Sequence, residues 1–468
     1  MNNFPQYSGK NVLIWGLGLN DGGLGMVDFF LSQGSIVTIT DGKTEEQLKP
    51  TLEKLSKYKD KLVLHLGGHI KEDFINNDII IRNPAIKPDN EFLQIAKEAG
   101  KTIEMEMSLF HKLAPCPTIG ITGTRGKSTT TTLIYDFLNE EFGDKILLGG
   151  NIGKSAIREL PALDKDNIAV LELSSFQLDA MGDSKVSPHI AVLTNIYQDH
   201  LNWHKDLQDY QRAKKNIFIN QNKDDFVVIN LDNETNAKII KNEQESIKSK
   251  LIVFSLKEKH ADYFLSINGD TKTVYENGEI LMNLPKMHID GEHNYYNILG
   301  AIAASRIYKV STDSINKVLS GFTGVAGREQ LIREINGIKF YNDTTGTSLE
   351  AMIAALDRFG PQNKGKIIFI SGGMDKELDY SRIKDKMVKY LKSLVLLEGT
   401  ASEKMAQIIG NDIEVHKFYG VFKEAIDKAY SLAQSGDMIM LCPGATSFNM
   451  FANEFDRGRQ FDEIVMSL

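Results

Sequence analysis

Only two cysteines, Cys116 and Cys442, occur in the 468 residues. That excludes a disulfide framework and a four-cysteine zinc site, and leaves two buried thiols as the expectation. Any metal must then be held by oxygen or by histidine. The chain also lacks an apolar run of about 18 residues, so nothing in it reads as a membrane span. Its start, MNNFPQYSGKNVLIWGLG, has neither the basic opening nor the small-residue cleavage site of a secretion signal, which makes the cytoplasm the expected location. There is no excess of basic residues: Lys and Arg number 54 against 62 Asp and Glu, for a formal net charge of −8. A nucleic-acid-binding face is therefore not expected, and small molecules met in local pockets are. Repeats at solenoid periods and low-complexity segments are absent as well.

What is present is an α/β pattern, three times over. The length predicts roughly three domains, and each stretch opens with an apolar strand that runs into glycines. The boundaries read as 1–114, 115–323 and 324–468. In the first, the strand Asn11–Trp15 leads through a Gly-rich turn into a helix around Met26 to Gln33, and a strand from Ile36 ends at Asp41. The second begins at Thr118–Thr122 and continues through strands at 168–173 and 190–194, continuous apolar runs of the kind that parallel strands covered on both faces require. Within it, Asn268-Gly269 and Asn277-Gly278 mark a hairpin meander over 262–284, and 292–308 reads as a helix. The third carries strands near 338–341, 367–371, 394–397 and 438–441. The fold class expected is α/β with three domains: a Rossmann-like first, a central ATPase-like parallel sheet with a small β meander, and a Rossmann-like third.

The segment Gly120-Ile-Thr-Gly-Thr-Arg-Gly-Lys-Ser-Thr129 follows a strand and opens a helix, the setting a phosphate loop needs. Backbone N–H groups of such a turn cradle phosphate oxygens, with Lys127 reaching the β/γ-phosphates and Ser128 placing its hydroxyl on Mg²⁺. The common pattern would put glycine at position 121, where Ile121 stands. Three further segments follow: Leu171-Glu-Leu-Ser-Ser-Phe-Gln-Leu178, Thr194-Asn-Ile-Tyr-Gln-Asp-His-Leu201 and Tyr210-Gln-Arg-Ala-Lys-Lys-Asn-Ile217. Glu172 and His200 fall just past strand ends, the edge where open α/β sheets bind ligands. Either residue alone would be read as a solvated carboxylate or a surface imidazole. Lys214 by itself reads as a solvated helix lysine. Gly16-Leu-Gly-Leu-Asn-Asp-Gly-Gly23 invites a dinucleotide reading that Asp21 weakens, since an acidic side chain would there face a pyrophosphate.

Taken in order, GTRGKSTT, LELSSFQLD, NIYQDH, GEHNYYN, GVAGREQ and ATSFNMF resemble the motifs of the Mur ligases along nearly the whole chain. The resemblance implies an ATP-dependent ligase that converts a substrate carboxylate to an acyl phosphate and passes it to an amine. It implies nucleotide contacts from Gly123, Thr124, Gly126, Lys127, Ser128, Thr129, Asn294, Asn297, Arg328 and Asp343. It also implies two Mg²⁺ ions served by Ser128, Glu172, His200 and Lys214, the last as a carbamate formed with CO₂. Read from the residues alone, Asn294 and Asn297 serve equally well as helix-start caps. The third stretch is similar to the glutamate-adding members: Asn342-Asp-Thr-Thr-Gly-Thr-Ser-Leu-Glu350, Gly372-Gly-Met-Asp-Lys376 and Pro443-Gly-Ala-Thr-Ser-Phe-Asn-Met-Phe451 fit their segments. Lys376, Thr347, Ser447 and Phe448 would meet the amino acid, while Gly18, Leu19, Asn20, Asp41 and Asn151 would meet UDP-N-acetylmuramoyl-L-alanine. Two departures stand out, Thr345 where many relatives have lysine and Glu454-Phe455 where many have Phe-Glu. A monomer without nucleic-acid or membrane partners is expected. A folylpolyglutamate synthetase-like ligase is the alternative, as is the same reaction with L-glutamate.

Overall fold

The computed structural model describes residues 3–468 other than 20, 153–154, 201–202, 290, 376–377, 418–419 and 448–449, together with all side chains in those ranges but that of residue 350. Asn20, Lys376 and Phe448, all expected at the site, lie outside the described residues. Among the described residues the strands form three sheets, and the chain divides into two compact units, Met1–Gly321 and Phe322–Leu468. The α/β class expected from the sequence is what the chain adopts.

The first sheet has the order β3-β2-β1-β4-β5, with β1 (Asn11–Trp15), β2 (Ile36–Asp41), β3 (Leu62–Leu66), β4 (Ile79–Arg82) and β5 (Thr102–Glu104), all parallel. Val12, Leu13, Ile14 and Trp15 are buried on both faces, as an uninterrupted apolar strand in a parallel sheet demands. The helix after β1 spans Asp21–Ser32, five residues earlier than its apolar periodicity suggests. Glycines inside a helix are unfavourable, but here they are packing positions. A Cβ on Gly25 would lie 1.9 Å from Ser155 Oγ, and one on Gly23 would lie 2.1 Å from the Leu17 carbonyl oxygen.

The second sheet follows in the same unit. Its strands are β6 (Thr118–Thr122), β7 (Ile146–Gly150), β8 (Ile168–Glu172), β9 (Ile190–Leu193), β10 (Phe226–Asn230), β11 (Lys250–Ser255), β12 (Tyr263–Asn268), β13 (Thr271–Glu276) and β14 (Glu279–Asn283), ordered 14-13-12-11-10-9-6-8-7. Strands β12, β13 and β14 are antiparallel and form the expected meander, turning at Gly269 and at Asn277-Gly278, all with positive φ. One apolar cluster runs from Val12 and Ile14 of the first sheet to Leu171 and Leu193 of the second, which explains why the two sheets make one unit. The second unit holds β15 (Gln330–Ile335), β16 (Ile338–Asn342), β17 (Ile367–Ser371), β18 (Leu391–Leu396), β19 (Glu414–Lys417) and β20 (Met438–Leu441) in the order 15-16-20-17-18-19. All its pairings are parallel except that of β15 with β16.

Candidate active site

Strand β6 ends at Thr122, and the helix Lys127–Phe142 starts directly after Gly126, whose φ of 81° makes it a left-handed helix start without a side-chain cap. The intervening loop is shaped by its neighbours. Thr124 N–H donates to the Asn195 carbonyl at 2.8 Å and Arg125 N–H to Asn195 Oδ1 at 2.9 Å, while Asn195 Nδ2 and Thr194 Oγ1 return bonds to the Arg125 carbonyl. A Cβ on Gly123 would fall 1.9 Å from Thr194 Oγ1, and one on Gly126 would fall 2.1 Å from Asn297 Oδ1. Both glycines are therefore required by close approach. Lys127 Nζ donates to the carbonyls of Gly123 and Thr124 at 3.1 and 3.0 Å, so its charge is held at the mouth of the loop. Thr129 lies in the first turn of the helix. Asn294 and Asn297 are buried inside the helix Glu292–Arg306, whose N-cap is Gly291, so neither is a helix-start cap. Asn297 instead presses against the phosphate loop.

Ser128 Oγ donates to Glu172 Oε2 at 2.6 Å, and Asn151 Nδ2 donates to Glu172 Oε1 at 3.1 Å. Glu172 ends β8 beside the phosphate loop and is only 1% exposed, so it is no solvated carboxylate. Among the described residues Glu172 has two neutral donors and no ion pair, which makes its burial costly, and a cation arriving at this edge would offset that cost. Lys214 lies in the helix Leu207–Lys215 and is likewise 1% exposed, contrary to its reading from the residues alone. Its Nζ donates to the Gly123 carbonyl at 2.8 Å and sits 4.7 Å from the centre of the Tyr210 ring. Burial, with Lys127 second, lowers its pKa well below the ordinary lysine value and favours the neutral amine. His200 is about half exposed and has a left-handed backbone, φ 53°. Burial also lowers its pKa, and its ring packs 5.1 Å from that of Phe176. Among the described residues no group of three His, Cys, Asp or Glu side chains is placed to hold a metal ion. The Ser128 hydroxyl and the Glu172 carboxylate beside the phosphate loop are oxygen donors that fit Mg²⁺, which takes one or two such ligands and keeps water and phosphate oxygens as the rest; the Lys214 amine would fit it only after gaining a carboxylate.

At the first sheet, Asp41 is buried and both of its oxygens accept backbone N–H groups, from Gly18 at 3.0 Å and Lys43 at 2.9 Å. It thus fixes the Gly16–Leu19 turn. Asp21 binds the Arg158 guanidinium at 2.5 Å and accepts the Ser155 N–H at 3.0 Å. The residue that spoils the dinucleotide motif is a tie between the two sheets.

In the second unit, the loops after β16, β17 and β20 gather at one edge of the third sheet and bond to one another. Met374 pairs with Thr446, Gly444 N–H donates to the Gly346 carbonyl, and Gly372 N–H donates to the Pro443 carbonyl. This edge carries Asp343, Thr347 and Ser447. The Ser447 hydroxyl is buried with no hydrogen-bond partner among the described residues. Arg328 is exposed, and Thr345 Oγ1 donates to the Gly327 carbonyl at 2.9 Å. Glu454 opens the last helix, and its carbonyl accepts from Thr344 Oγ1. Burial, with Glu329 second, pushes the Asp343 carboxyl up to about 8. Because this folded-state value lies above the unfolded one of about 3.9, ionisation opposes folding. Stability is lost as pH rises from about 4 towards 8. Asp343→Asn keeps an acceptor for the Glu329 N–H. It should leave Tm near pH 4 unchanged and raise that of the ligand-free protein at pH 8, at about 2–4 °C per kcal/mol regained. Thermal scans at the two pH values check this.

Several residues here escape sequence reading. Tyr210, four residues before Lys214 on the same helix face, shares a hydrogen bond of 3.1 Å with Thr124 Oγ1, and Thr194 and Asn195 build the cradle. The i,i+4 spacing to Lys214 was the available signal for Tyr210; Thr194 and Asn195 offered none beyond their place after a strand.

Comparison with known proteins adds an independent line. Family models match along the chain: a Mur ligase MurD-like N-terminal domain at residues 10–104, a Mur ligase middle domain at 121–305 and a Mur ligase glutamate ligase domain at 327–445. The UDP-N-acetylmuramoylalanine--D-glutamate ligase of Roseiflexus sp. (strain RS-1) is 36% identical, with 99% of each chain covered. The enzyme of that name from Ruminiclostridium cellulolyticum is also 36% identical, covering 98% of this chain and 97% of its own. Among solved structures, UDP-N-acetylmuramate-alanine ligase MurC from Thermotoga maritima shares the fold with a TM-score of 0.59 at 19% identity, covering 98% of this chain and 99% of its own.

Proposed function

The chain belongs to the Mur ligase family, and we propose that it joins D-glutamate to UDP-N-acetylmuramoyl-L-alanine with conversion of ATP to ADP and phosphate. Full-length likeness to ligases of that name supports the substrates. The observation that carries the chemistry is the convergence of Lys127, Glu172 and the buried Lys214 amine on one phosphate loop. In this reading residues 1–114 hold the UDP-sugar, 115–323 the ATP and 324–468 the amino acid. The third-sheet segment beginning Asn342-Asp343 lacks the Asp-Gly-Ala-His-Asn expected of a folylpolyglutamate synthetase.

The substrate carboxylate and the γ-phosphate repel each other, and the site's task is to hold them in line. Lys127 exchanges its loop carbonyls for phosphate oxygens, so its charge meets the charge that develops in transfer. Burial lowers the Lys214 pKa and so favours the neutral amine, the form that attacks CO₂ with loss of a proton to give a carbamate. That carbamate, with His200, would hold one Mg²⁺, and Ser128 with Glu172 would hold the other. Bound there, Mg²⁺ supplies neutralisation of phosphate charge. Asn297, packed on Gly126, limits where the base of the nucleotide can lie. At the third sheet the buried Ser447 hydroxyl, unpartnered among the described residues, is a donor for a carboxylate, alongside Thr347 and Lys376. The protein acts in the cytoplasm as a monomer; among the described residues no helix is long and apolar enough to cross a membrane.

The direct test is ADP release coupled to product detection, with UDP-N-acetylmuramoyl-L-alanine and a panel that includes D-glutamate, L-glutamate and L-alanine. Turnover with D-glutamate alone is expected, and equal rates with L-glutamate would refute the stereochemical part. Because Thr345 supplies no cation, Lys376 carries the pairing with glutamate. Lys376→Met should raise the KM for glutamate tens- to thousands-fold, the equivalent of about 2–5 kcal/mol for an abandoned charge partner. The KM values for ATP and the UDP-sugar should stay nearly fixed. A parallel rise in the ATP value would instead assign Lys376 to the nucleotide.

A further inference from the structure

His204 has no part in the chemistry described above, yet its side chain is fully buried in the midst of the groups that do. Its Nε2 lies 2.9 Å from Ser175 Oγ and its Nδ1 lies 3.4 Å from Asp209 Oδ2. The consistent tautomer has Nδ1–H donating to the carboxylate and Nε2 accepting from the hydroxyl. The order hydroxyl, imidazole, carboxylate is that of a hydrolytic relay, but Ser175 is 2% exposed and packed into the first turn of the helix Ser175–Asp183. No substrate reaches it. The arrangement is a clamp between two helices: the one that follows Glu172 and the one that carries Lys214, since Asp209 sits in the first turn of Leu207–Lys215.

The clamp extends to His200 through the backbone and through rings. The N–H groups of Trp203 and His204 both donate to the His200 carbonyl at 3.0 Å, closing the turn in which His200 takes a left-handed conformation. Such a backbone is uncommon for a residue other than glycine, though histidine adopts it more readily than most, and the two hydrogen bonds hold it here. Phe176 stands between the two imidazoles, stacked on His204 at 5.8 Å and 5.1 Å from His200. Tyr210, whose hydroxyl bonds Thr124 of the phosphate loop and whose ring lies under Lys214 Nζ, is 5.1 Å from His204. Two of these routes, through the His200 carbonyl and through Tyr210, lead from His204 to residues assigned to the reaction centre.

We infer that His204 is a positioning residue of the metal and phosphate centre, anchoring the left-handed turn that presents His200 and fixing the helix Ser175–Asp183, which follows Glu172, relative to the helix Leu207–Lys215, which carries Lys214. The inference rests on the functional reading above for the roles of His200, Glu172 and Lys214. Loss of a hydrogen-bonded support behind metal ligands typically costs about 10- to 100-fold in metal affinity or activity. His204→Phe, which keeps the ring and its stacking but loses both hydrogen bonds, should lower kcat by about that factor and raise the Mg²⁺ concentration for half-maximal rate about tenfold. The KM for glutamate should stay within about twofold, because that substrate is assigned to another sheet. His204→Asn retains a donor towards Asp209 and should recover part of the loss. The binding of Mn²⁺ in the presence of a non-hydrolysable ATP analogue, followed by electron paramagnetic resonance, provides a readout independent of turnover, and it should weaken in His204→Phe. Unchanged kcat, Mg²⁺ dependence and Mn²⁺ binding in a folded His204→Phe protein would overturn the inference. So would equal loss in both variants with all kinetic constants and Tm falling together, which is the mark of a merely structural residue. If the wild-type protein ligated no amino acid, the functional reading would fail while the Mn²⁺ measurement still decided the role of His204.

Discussion

Lys127→Ala is expected to abolish ATP-dependent product formation while leaving the fold intact. The side chain lies outside the apolar core and its ammonium group is engaged by the Gly123 and Thr124 carbonyls at the loop mouth, and α-helical alanine costs the Lys127–Phe142 helix nothing in propensity. What is lost is a fixed positive charge at the position where phosphoryl transfer accumulates negative charge. Removal of one preorganised donor from such a site typically costs about 100- to 1,000-fold in kcat, and the carboxylate-to-phosphate approach raises the demand further. Circular dichroism and Tm should match the wild type, and rates should fall to background in the coupled ADP assay. Turnover near the wild-type rate would remove the phosphate loop from the mechanism.

The second large effect is expected at Lys214. Lys214→Ala should be nearly inactive, and short carboxylates such as acetate or formate at millimolar concentrations should restore part of the rate by filling the ligand position that the proposed carbamate would take. The structure sharpens this expectation. A lysine that is 1% exposed, directed at the Gly123 carbonyl and without an ion pair among the described residues, is of little use as a charge. It is well suited as a neutral amine. Its removal also opens space beside Tyr210 and the phosphate loop, which gives a small carboxylate room to enter. The measurement is initial rate against carboxylate concentration for the variant and the wild type, repeated in CO₂-depleted buffer. Full activity of the alanine variant in that buffer would make Lys214 an ordinary helix lysine.

The legibility of this chain in its sequence followed the physics of each element. The strand Ile190–Leu193 and the stretch Val12–Trp15 of β1 were readable because parallel strands buried on both faces read as continuous apolar runs. The meander was readable because Asn-Gly turns require positive φ. The start of the Asp21–Ser32 helix was not, because its glycines are set by the approach of Ser155 and of the Leu17 carbonyl, contacts more than local sequence can carry. Within the site, Lys127, Ser128 and Glu172 announced themselves through a loop and a strand end. Lys214 did not: nothing in the string Gln211-Arg-Ala-Lys-Lys215 distinguishes its buried amine from the partly exposed one of Lys215, and only the resemblance to a family singled it out. Asp41 was expected to meet a ligand, and the structure has it holding its own turn. His204 carried no signal at all, since the partners that define it, Ser175 and Asp209, come from a different helix and from five residues downstream.

The mutual bonding of the loops at the edge of the third sheet bears on how amino-acid choice evolves in such an enzyme. Residues 343–347, 372–374 and 443–446 share backbone hydrogen bonds and close glycine contacts; a Cβ on Gly373 would lie 2.2 Å from the Thr446 carbonyl oxygen, and one on Gly458 would lie 2.5 Å from the Thr344 methyl carbon. Three chain segments thus inherit one geometry. Transplanting a single segment from a ligase with a different amino-acid substrate would break the register of the other two before it altered preference. If the amino acid binds at this edge as proposed, specificity would be a property of the ensemble of loops, and it should change through coordinated replacement, with inactive intermediates separating one substrate from the next.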